Sequence, residues 1–181
     1  ELHDDLYGNT EIEIYMLRLD EVHPVISGNK LFKLYYFLEE AKNSLNKKII
    51  TFGGAYSNHL AATAFACKSI RAESIGIVRG EWSQKLSGTL SFCLEQGMQL
   101  EFISRRLYRE IQQNKHFVGL QDKYGEHILI PEGGFSIKGK EGASLIHKLF
   151  SDKNFTHIVM PVGTATTFAG LVDANNTQQE I

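Results

Sequence analysis

Short apolar or β-branched runs alternate with longer segments of helical period along the chain, and this alternation constrains the fold more than any other feature. It is typical of β-α-β units, in which helices cover both faces of a mainly parallel sheet. We therefore predict an α/β fold with open, mainly parallel sheets and helices on both faces. The predicted strands span residues 48–52, 74–78, 99–103, 126–131 and 157–161.

The segments between the strands carry apolar residues at helical spacing. Leu31, Leu34 and Leu38 recur at i, i+3 and i+7, which places one apolar stripe on a helix over about 29–44. A stretch at 11–19 instead alternates polar and apolar residues, which predicts a half-buried or edge strand. The other helices are predicted near 58–69, 86–96, 110–124, 139–150 and 164–172.

The charge balance excludes some classes of partner. Nineteen Lys and Arg against 21 Asp and Glu give a net charge of −2, which is too balanced for a nucleic-acid footprint or a polybasic membrane patch. No apolar run approaches the roughly 18 residues that span a bilayer, and the first residues lack the pattern of a signal peptide. We therefore expect a cytoplasmic protein with no nucleic-acid and no membrane partner.

Glycines follow three of the predicted strands, at Gly53–Gly54, Gly133–Gly134 and Gly163. Open α/β sheets place their ligand loops beyond the carboxyl ends of the strands. Glycine pairs allow positive φ angles and a close approach of the backbone to a ligand. We expect the three loops to converge on one crevice. The alternative is that the glycines serve only the strand-to-helix turns, and for any single loop this alternative is equally good.

Lys30 and Lys33 stand three residues apart at the predicted start of a helix, so they share one face. The positive end of the helix dipole lies behind them and favours an anion. Two neighbouring ammonium groups also lower each other's pKa, as an amine nucleophile requires. Spacing alone also fits two solvated lysines on an amphipathic helix, which is the more common situation.

Two further segments have the pattern of a helix N-terminus that faces a ligand. Ser57 and Asn58 follow the double glycine and open an alanine-rich helix, although Ser57 is equally a candidate for a plain N-cap. Residues 160–170 run from a strand into a turn of small hydroxyl residues, whose N–H groups can surround a phosphate. This turn lacks the lysine of a Walker A loop, so we expect a phosphate there to be a fixed handle of a ligand and not a transferred group.

Several familiar site patterns are incomplete or missing from the sequence. Residues 134–140 match G-x-x-x-x-G-K, but Glu141 stands where a Ser or Thr would coordinate magnesium, which argues against nucleotide triphosphate binding. The chain has no G-x-S-x-G and no H-E-x-x-H pattern, so hydrolase and metal sites lack local support. Cys67 and Cys93 lie in apolar helical stretches, which predicts buried free thiols.

These segments together resemble one known family. Their order and spacing, along almost the whole chain, are similar to those of 1-aminocyclopropane-1-carboxylate deaminase and D-cysteine desulfhydrase. Those enzymes belong to the tryptophan synthase β-like, fold type II enzymes that depend on pyridoxal 5′-phosphate. The resemblance is carried by Arg18–Asp20, by Ser27-Gly-Asn-Lys-Leu-Phe-Lys-Leu34, by Gly53-Gly-Ala-Tyr-Ser-Asn-His59, by Pro131-Glu-Gly-Gly134 and by Val162-Gly-Thr-Ala-Thr-Thr-Phe-Ala-Gly170.

The resemblance implies a role for each site residue. Lys30 would form the Schiff base with the cofactor aldehyde, and Lys33 would help to hold the cofactor phosphate. Asn58 would hydrogen-bond the ring hydroxyl, while Ser57 would lie near the substrate as a proton relay or carboxylate contact. The phosphate loop would consist of Gly163, Thr164, Ala165, Thr166 and Thr167.

The resemblance also implies a domain division, and the chain departs from the family in two respects. Residues 1–44 and 131–181 would belong to a large cofactor domain, and residues 45–130 would form a small α/β domain. Ala165 occupies a position that is usually glycine, where a Cβ could crowd the phosphate or forbid a positive φ. The family's later segment, with the partner of the pyridine nitrogen and a catalytic tyrosine, is not in the chain, so we expect a fold truncated at the C-terminus.

The implied activity is that of a pyridoxal phosphate-dependent lyase or deaminase that acts on a small amino acid. D-cysteine would give sulfide, pyruvate and ammonia, and the cyclopropane acid would give 2-oxobutanoate and ammonia. The Ser-Asn-His order at 57–59 is closer to the desulfhydrase branch. The full-length protein would be a homodimer. Two alternatives stay open: a catalytically silent protein that retains the fold, and another fold type II enzyme such as a cysteine synthase or threonine deaminase.

Overall fold

Four of the predicted strands form one parallel sheet, and helices cover both of its faces. The structure is a computed structural model that describes residues 13–114 and 118–175. The strands are β1 (Lys48–Gly53), β2 (Glu73–Arg79), β3 (Gln99–Ile103) and β4 (Ile128–Ile130). The helices are α1 (Lys30–Asn43), α2 (Asn58–Ser69), α3 (Gly88–Glu95), α4 (Arg105–Asn114), α5 (Val118–Tyr124), α6 (Ile137–Ser144) and α7 (Thr166–Ala174), with 3-10 turns at Glu132–Gly134 and Leu145–Leu149.

The strand order is β3-β2-β1-β4, and all neighbours are parallel. Ile50 of β1 lies opposite Ile75 of β2 and Leu129 of β4. Because parallel strands end at the same edge, the loop after β1 and the turn after β4 leave the sheet side by side. These two glycine loops are therefore neighbours at one edge of the sheet, but of the three predicted glycine loops only those with Gly133 and Gly163 line the cavity described below.

Strand β1 shows why its sequence is almost continuously apolar. Ile49 packs into a buried cluster with residues of α1 and α2 on one face of the sheet. Ile50 and Phe52 point to the other face, where they pack with Tyr108 of α4 and Leu120 of α5. A strand covered on both faces gains from apolar residues at every position, which is typical of parallel sheets. The predicted α/β class with helices on both faces is confirmed.

Three predicted elements differ from the structure. The strand expected at 157–161 forms only a single bridge, at His157, and no ladder in the described chain, and Val159 is 95% exposed. An apolar β-branched run becomes a strand only when a neighbouring backbone pairs with it. Residues 13–18 of the expected edge strand are likewise irregular, and residues 11 and 12 lie outside the described ranges. The helix expected at 110–124 is two helices, α4 and α5, with residues 115–117 not described.

Small residues bring α1, α6 and α7 into close contact. A Cβ on Gly142 of α6 would lie 2.2 Å from the carbonyl oxygen of Phe32 in α1, and one on Gly170 of α7 would lie 2.5 Å from the carbonyl oxygen of Lys140 in α6. Only glycine permits this approach of backbone to backbone. As a result, the N-terminus of α1 lies next to the first turn of α7, where Asn29 bonds to Thr167.

The same packing explains the incomplete G-x-x-x-x-G-K pattern. A Cβ on Gly139 would lie 1.9 Å from the carbonyl oxygen of Gly134, so Gly139 serves the tight entry into α6. Lys140 forms an ion pair with Asp173 of α7. The glycines and the lysine of this pattern thus have structural partners within the fold.

The structure also bears on the predictions for the two cysteines and for membrane-spanning helices. Cys67 and Cys93 are both buried free thiols, as predicted. Within the described residues, none of the helices combines the length and the apolar character that a membrane span requires. The proposed division into domains at residues 44 and 130 stays a prediction.

Candidate active site

A cavity of about 240 Å³ lies between the first turn of α1 and the loop that precedes α7. It contains both lysines of the Ser27–Leu34 segment and most of the expected phosphate loop. The hypothesis that Lys30 faces this loop therefore agrees with the structure. The lining residues are Asn29, Lys30, Lys33, Gly133, Met160, Pro161, Val162, Gly163, Thr164, Ala165, Thr167 and Phe168.

Lys33 is held between two loops. The residue is only 4% exposed, and its Nζ donates to the Gly133 carbonyl oxygen at 3.2 Å and to Thr164 Oγ1 at 3.3 Å. Burial, and then the charge of Lys30, lower the pKa of Lys33 to about 8. The ammonium form still dominates at neutral pH, so Lys33 is a cation aimed at the expected phosphate loop.

Lys30 lies one helical turn earlier and is half-buried. Its Nζ donates a hydrogen bond of 2.6 Å to Asn29 Oδ1, and Asn29 Nδ2 donates one of 2.7 Å to Thr167 Oγ1. Burial lowers the pKa of Lys30. Desolvation is the main cause of the lowered pKa of both lysines. The repulsion between the two ammonium groups, which the spacing predicts, is the second cause of the lowered pKa of Lys33.

The loop at 163–167 combines exposed and buried residues. Gly163, Thr164 and Ala165 are exposed, whereas Thr166 and Thr167 are buried at the start of α7. Thr164 Oγ1 and Thr166 Oγ1 lie 3.0 Å apart and share one hydrogen bond. The N-terminus of α7 has no side-chain cap, so its first N–H groups are available to an anion.

Ala165 takes the backbone conformation that a glycine would take. Its φ is 57° and its ψ is −3°, in the left-handed region, and it is the N-cap residue of α7. The sequence-based concern that a Cβ could forbid a positive φ at this position is therefore wrong for this chain. The conformation costs an L-residue about 1–2 kcal/mol, a strain that the surrounding packing tolerates.

Ser57 and Asn58 are placed differently from the lysines. Ser57 Oγ accepts from the Leu60 N–H at 3.3 Å and caps α2, which agrees with the plain N-cap alternative. Asn58 is exposed, and neither residue lines the cavity beside Lys30. Their implied roles toward the cofactor ring and the substrate stay predictions.

Three polar groups near the lysines are not predicted by the sequence patterns. Asn29 connects Lys30 to Thr167, and the Gly133 carbonyl accepts from Lys33. His59 is 3% exposed, and burial, followed by the charges of Lys30 and Lys33, lowers its pKa to about 3. Asn29 and His59 do stand inside the two quoted motifs, but a backbone carbonyl leaves no signal in a sequence.

The site fits a phosphorylated aldehyde such as pyridoxal 5′-phosphate. A partly desolvated amine is a nucleophile toward an aldehyde. A second cation, two hydroxyl groups and an uncapped helix N-terminus are donors for a phosphate. The described ranges contain no cluster of three His, Cys, Asp or Glu side chains that could hold a metal ion.

The chain is similar to curated proteins with one recurring name. It is 32% identical over 165 residues to a putative 1-aminocyclopropane-1-carboxylate deaminase of Thermotoga maritima, and the match covers 87% of this chain and 52% of that protein. It is 29% identical over 176 residues to the mitochondrial bifunctional D-cysteine desulfhydrase/1-aminocyclopropane-1-carboxylate deaminase of Arabidopsis thaliana, covering 88% and 44%. The chain therefore spans about half the length of the curated relatives it matches. No family model matches the chain.

Solved structures agree with these relatives. A homologue of 1-aminocyclopropane-1-carboxylate deaminase superposes with a TM-score of 0.70 at 28% identity, over 87% of this chain and 49% of that one. An O-ureido-L-serine synthase gives a TM-score of 0.63 at 19% identity, over 86% and 49%, and shares the fold. The chain is thus related, in sequence and in fold, to the 1-aminocyclopropane-1-carboxylate deaminase and D-cysteine desulfhydrase family of fold type II, pyridoxal phosphate-dependent enzymes.

Proposed function

We propose that the whole protein is a pyridoxal 5′-phosphate-dependent deaminase or lyase that acts on a small amino acid. The observation that carries this proposal is the cavity in which Lys30, Lys33 and the loop at 163–167 meet. An amine of lowered pKa then lies beside a built anion site, which is what a lysine-bound, phosphorylated cofactor requires. The names of the relatives support the same activity.

Each residue of the cavity has a distinct task in this proposal. Pyridoxal phosphate, when bound, supplies an aldehyde for the covalent bond to an amine and a ring that accepts electrons from the substrate's Cα. Lys30 provides the amine and later moves the proton at Cα. Lys33, Thr164 and the first N–H groups of α7 hold the phosphate. Asn29 orients the Lys30 amine through the 2.6 Å hydrogen bond to Oδ1.

The substrate is proposed to be D-cysteine or 1-aminocyclopropane-1-carboxylate. D-cysteine would yield sulfide, pyruvate and ammonia, and the cyclopropane acid would yield 2-oxobutanoate and ammonia. The Ser-Asn-His order at 57–59 favours D-cysteine, and the Arabidopsis relative carries both activities in its name. We further propose that the enzyme is homodimeric and cytoplasmic. It is also proposed to have no nucleic-acid partner, and the near-neutral net charge supports this last point alone.

The first test is covalent capture of the cofactor. The full-length protein, mixed with pyridoxal phosphate and reduced with borohydride, should carry the pyridoxyl group on Lys30 in a peptide map. The Lys30→Ala variant should lose the visible absorption of the bound cofactor. Lys85→Ala, which removes an exposed lysine elsewhere, is the matched control. A full-length protein that binds no cofactor, or that is modified only at other lysines, would refute the proposal.

The second test compares substrates. Sulfide and 2-oxo acid release should be followed side by side for D-cysteine, the cyclopropane acid and L-serine derivatives. Sulfide from D-cysteine would support the desulfhydrase assignment, and 2-oxobutanoate from the cyclopropane acid would support the deaminase. Turnover of L-serine derivatives alone would favour another fold type II enzyme. Cofactor binding without any turnover would favour the catalytically silent alternative.

A further inference from the structure

Arg79 is the last residue of β2 and lies at the edge of the sheet where the glycine loops leave it. Its backbone is fixed, because it pairs with Ile103 of β3 and the next N–H, that of Gly80, donates to the Ile103 carbonyl oxygen at 2.9 Å. Side chains alternate along a strand, so Arg79 points to the same face as Ile75 and Ile77. This is the face that α4 covers.

An aromatic ring supports the Arg79 side chain without neutralising it. The guanidinium carbon lies 5.6 Å from the centre of the Tyr108 ring, and Tyr108 is only 3% exposed and packs edge-on against Phe52. Burial raises the pKa of Tyr108, so the hydroxyl keeps its proton and the ring stays uncharged. In the part of the chain that the structure describes, Arg79 forms no salt bridge. Its positive charge is therefore held in place but left without a counter-charge.

The Arg79 guanidinium lies against the turn between β1 and α2. A Cβ on Gly54 would lie 3.5 Å from Arg79 Nη2, so the side chain reaches the backbone of this turn. The Ser57 N–H donates to the Gly54 carbonyl oxygen at 3.1 Å and closes the turn, and Ser87 Oγ donates to the Ala55 carbonyl oxygen. The segment after β2 thus contacts the turn at two points, through Arg79 and through Ser87.

The proposed function places the substrate beside this same turn. Ser57 ends the turn, and the resemblance to the family assigns Ser57 to the neighbourhood of the substrate. A small amino acid brings a carboxylate, whereas the two lysines of the cavity are assigned to the cofactor aldehyde and to its phosphate. The carboxylate is then left without a cation from the cavity. A guanidinium is well suited to this task, because its planar fork binds a carboxylate through two parallel hydrogen bonds.

We propose that Arg79 binds the carboxylate of the amino-acid substrate and so selects amino acids over simple amines. The contact is an ion pair with hydrogen bonds and involves no covalent step. The inference deepens the proposed function and rests on it for the identity of the ligand. It adds to the site a binding residue that lies outside the lysine cavity and outside the motifs that carry the resemblance.

Steady-state kinetics of the full-length, cofactor-loaded protein provide the first test. Arg79→Gln should raise KM for the amino acid that is turned over by about 10- to 100-fold, the range for a lost hydrogen bond to a charged group, and should leave the absorbance of the bound cofactor unchanged. Arg79→Lys keeps the charge without the planar fork and should recover part of the loss. Arg105→Gln removes another exposed arginine at the same edge of the sheet, so this matched control should leave KM unchanged.

The second test needs neither cofactor nor turnover. Phenylglyoxal modifies exposed arginines, and peptide mass mapping of the full-length wild-type protein reports the extent of modification at each one. Cyclopropanecarboxylate, which has a carboxylate but no amine, should slow the modification of Arg79 several-fold and that of Arg105 much less. Cyclopropanemethanol, which is neutral and of similar size, should protect neither arginine.

Three results would overturn the inference. They are an unchanged KM in an active Arg79→Gln enzyme, no protection of Arg79 by cyclopropanecarboxylate, and equal protection of Arg79 and Arg105. The proposed function can fail separately. A protein that binds no pyridoxal phosphate, but in which cyclopropanecarboxylate protects Arg79 selectively, would refute the proposed function and support the carboxylate site.

Discussion

Asn29 Nδ2 donates a 2.7 Å hydrogen bond to Thr167 Oγ1, although the two residues are 138 positions apart. This bond joins the N-terminus of α1 to the first turn of α7. Asn29 also accepts from the Lys30 amine at 2.6 Å. One side chain therefore sets both the orientation of Lys30 and its distance from the loop at 163–167.

Asn29→Ala should loosen the site without unfolding the protein. Loss of a partly buried hydrogen bond costs about 1 kcal/mol of unfolding free energy, and the affinity for pyridoxal phosphate should fall several-fold because the amine loses its orientation. Denaturant unfolding and absorbance titration measure the two effects. Asn43→Ala, which removes an amide that donates to the Glu39 carbonyl of its own helix, should leave the affinity unchanged. Equal affinity in both variants would contradict the expectation.

Lys33 should make both stability and anion binding depend on pH. Its pKa is lowered from 10.5 to about 8 in the folded chain, so between those values the unfolded chain binds more protons. Stability should therefore rise with pH from about 8 to 10.5 through this group. Lys33→Met should flatten that part of the profile in urea unfolding measured across pH.

The affinity for inorganic phosphate should change in the opposite sense. As pH rises through about 8, Lys33 loses its proton and the anion loses a cationic partner, so binding should weaken. Isothermal titration at pH 7 and pH 9.5 would measure this difference. In Lys33→Met the weakening at high pH should be smaller, and a wild-type affinity that falls no more steeply with pH than that of the variant would count against Lys33 as a phosphate ligand.

Ala165→Gly should stabilise the chain. The left-handed conformation costs an L-residue about 1–2 kcal/mol, and glycine removes this strain. Glycine also makes the unfolded chain more flexible, which reduces the gain in stability by about 0.5–1 kcal/mol. We expect a net gain of about 0.5–1 kcal/mol in chemical unfolding. Arg71→Gly is the matched control, because Arg71 has a φ of 56° after α2 and does not line the cavity. Both variants should be stabilised, whereas only Ala165→Gly should change cofactor affinity.

Gly142→Ala should destabilise the contact between α1 and α6. The added Cβ would lie 2.2 Å from the carbonyl oxygen of Phe32, next to Lys33, so the two helices must separate. We expect a loss of about 1–3 kcal/mol and a weaker phosphate site. Thermal unfolding measures the change in stability. Gly88→Ala adds a Cβ that meets nothing within 4 Å, so this control should be close to neutral in the same measurement. A neutral Gly142→Ala would show that α1 and α6 pack less closely than described.

Local pattern was sufficient for much of the architecture. The period of apolar residues predicted α1, α2 and the four strands of the sheet, because period reports which face of an element is buried. Glycines after strands predicted where the loops emerge, because parallel strands end at one edge. The three-residue spacing of Lys30 and Lys33 likewise predicted a shared face, and both line the cavity.

Other features depended on which distant segments meet. The run at 157–161 has strand composition, yet in the described chain it lacks a ladder, since pairing needs a second backbone and composition cannot supply one. The positive φ of Ala165, the bond from Asn29 to Thr167 and the buried hydrogen bond between His59 and Thr51 arise where α1, α2, β1 and α7 pack. Sequence alone determined the elements and the residue types at their ends, because these follow from local sterics and burial. Tertiary packing decided which polar atoms pair across more than a hundred residues, because hydrogen bonds form only at contact distance.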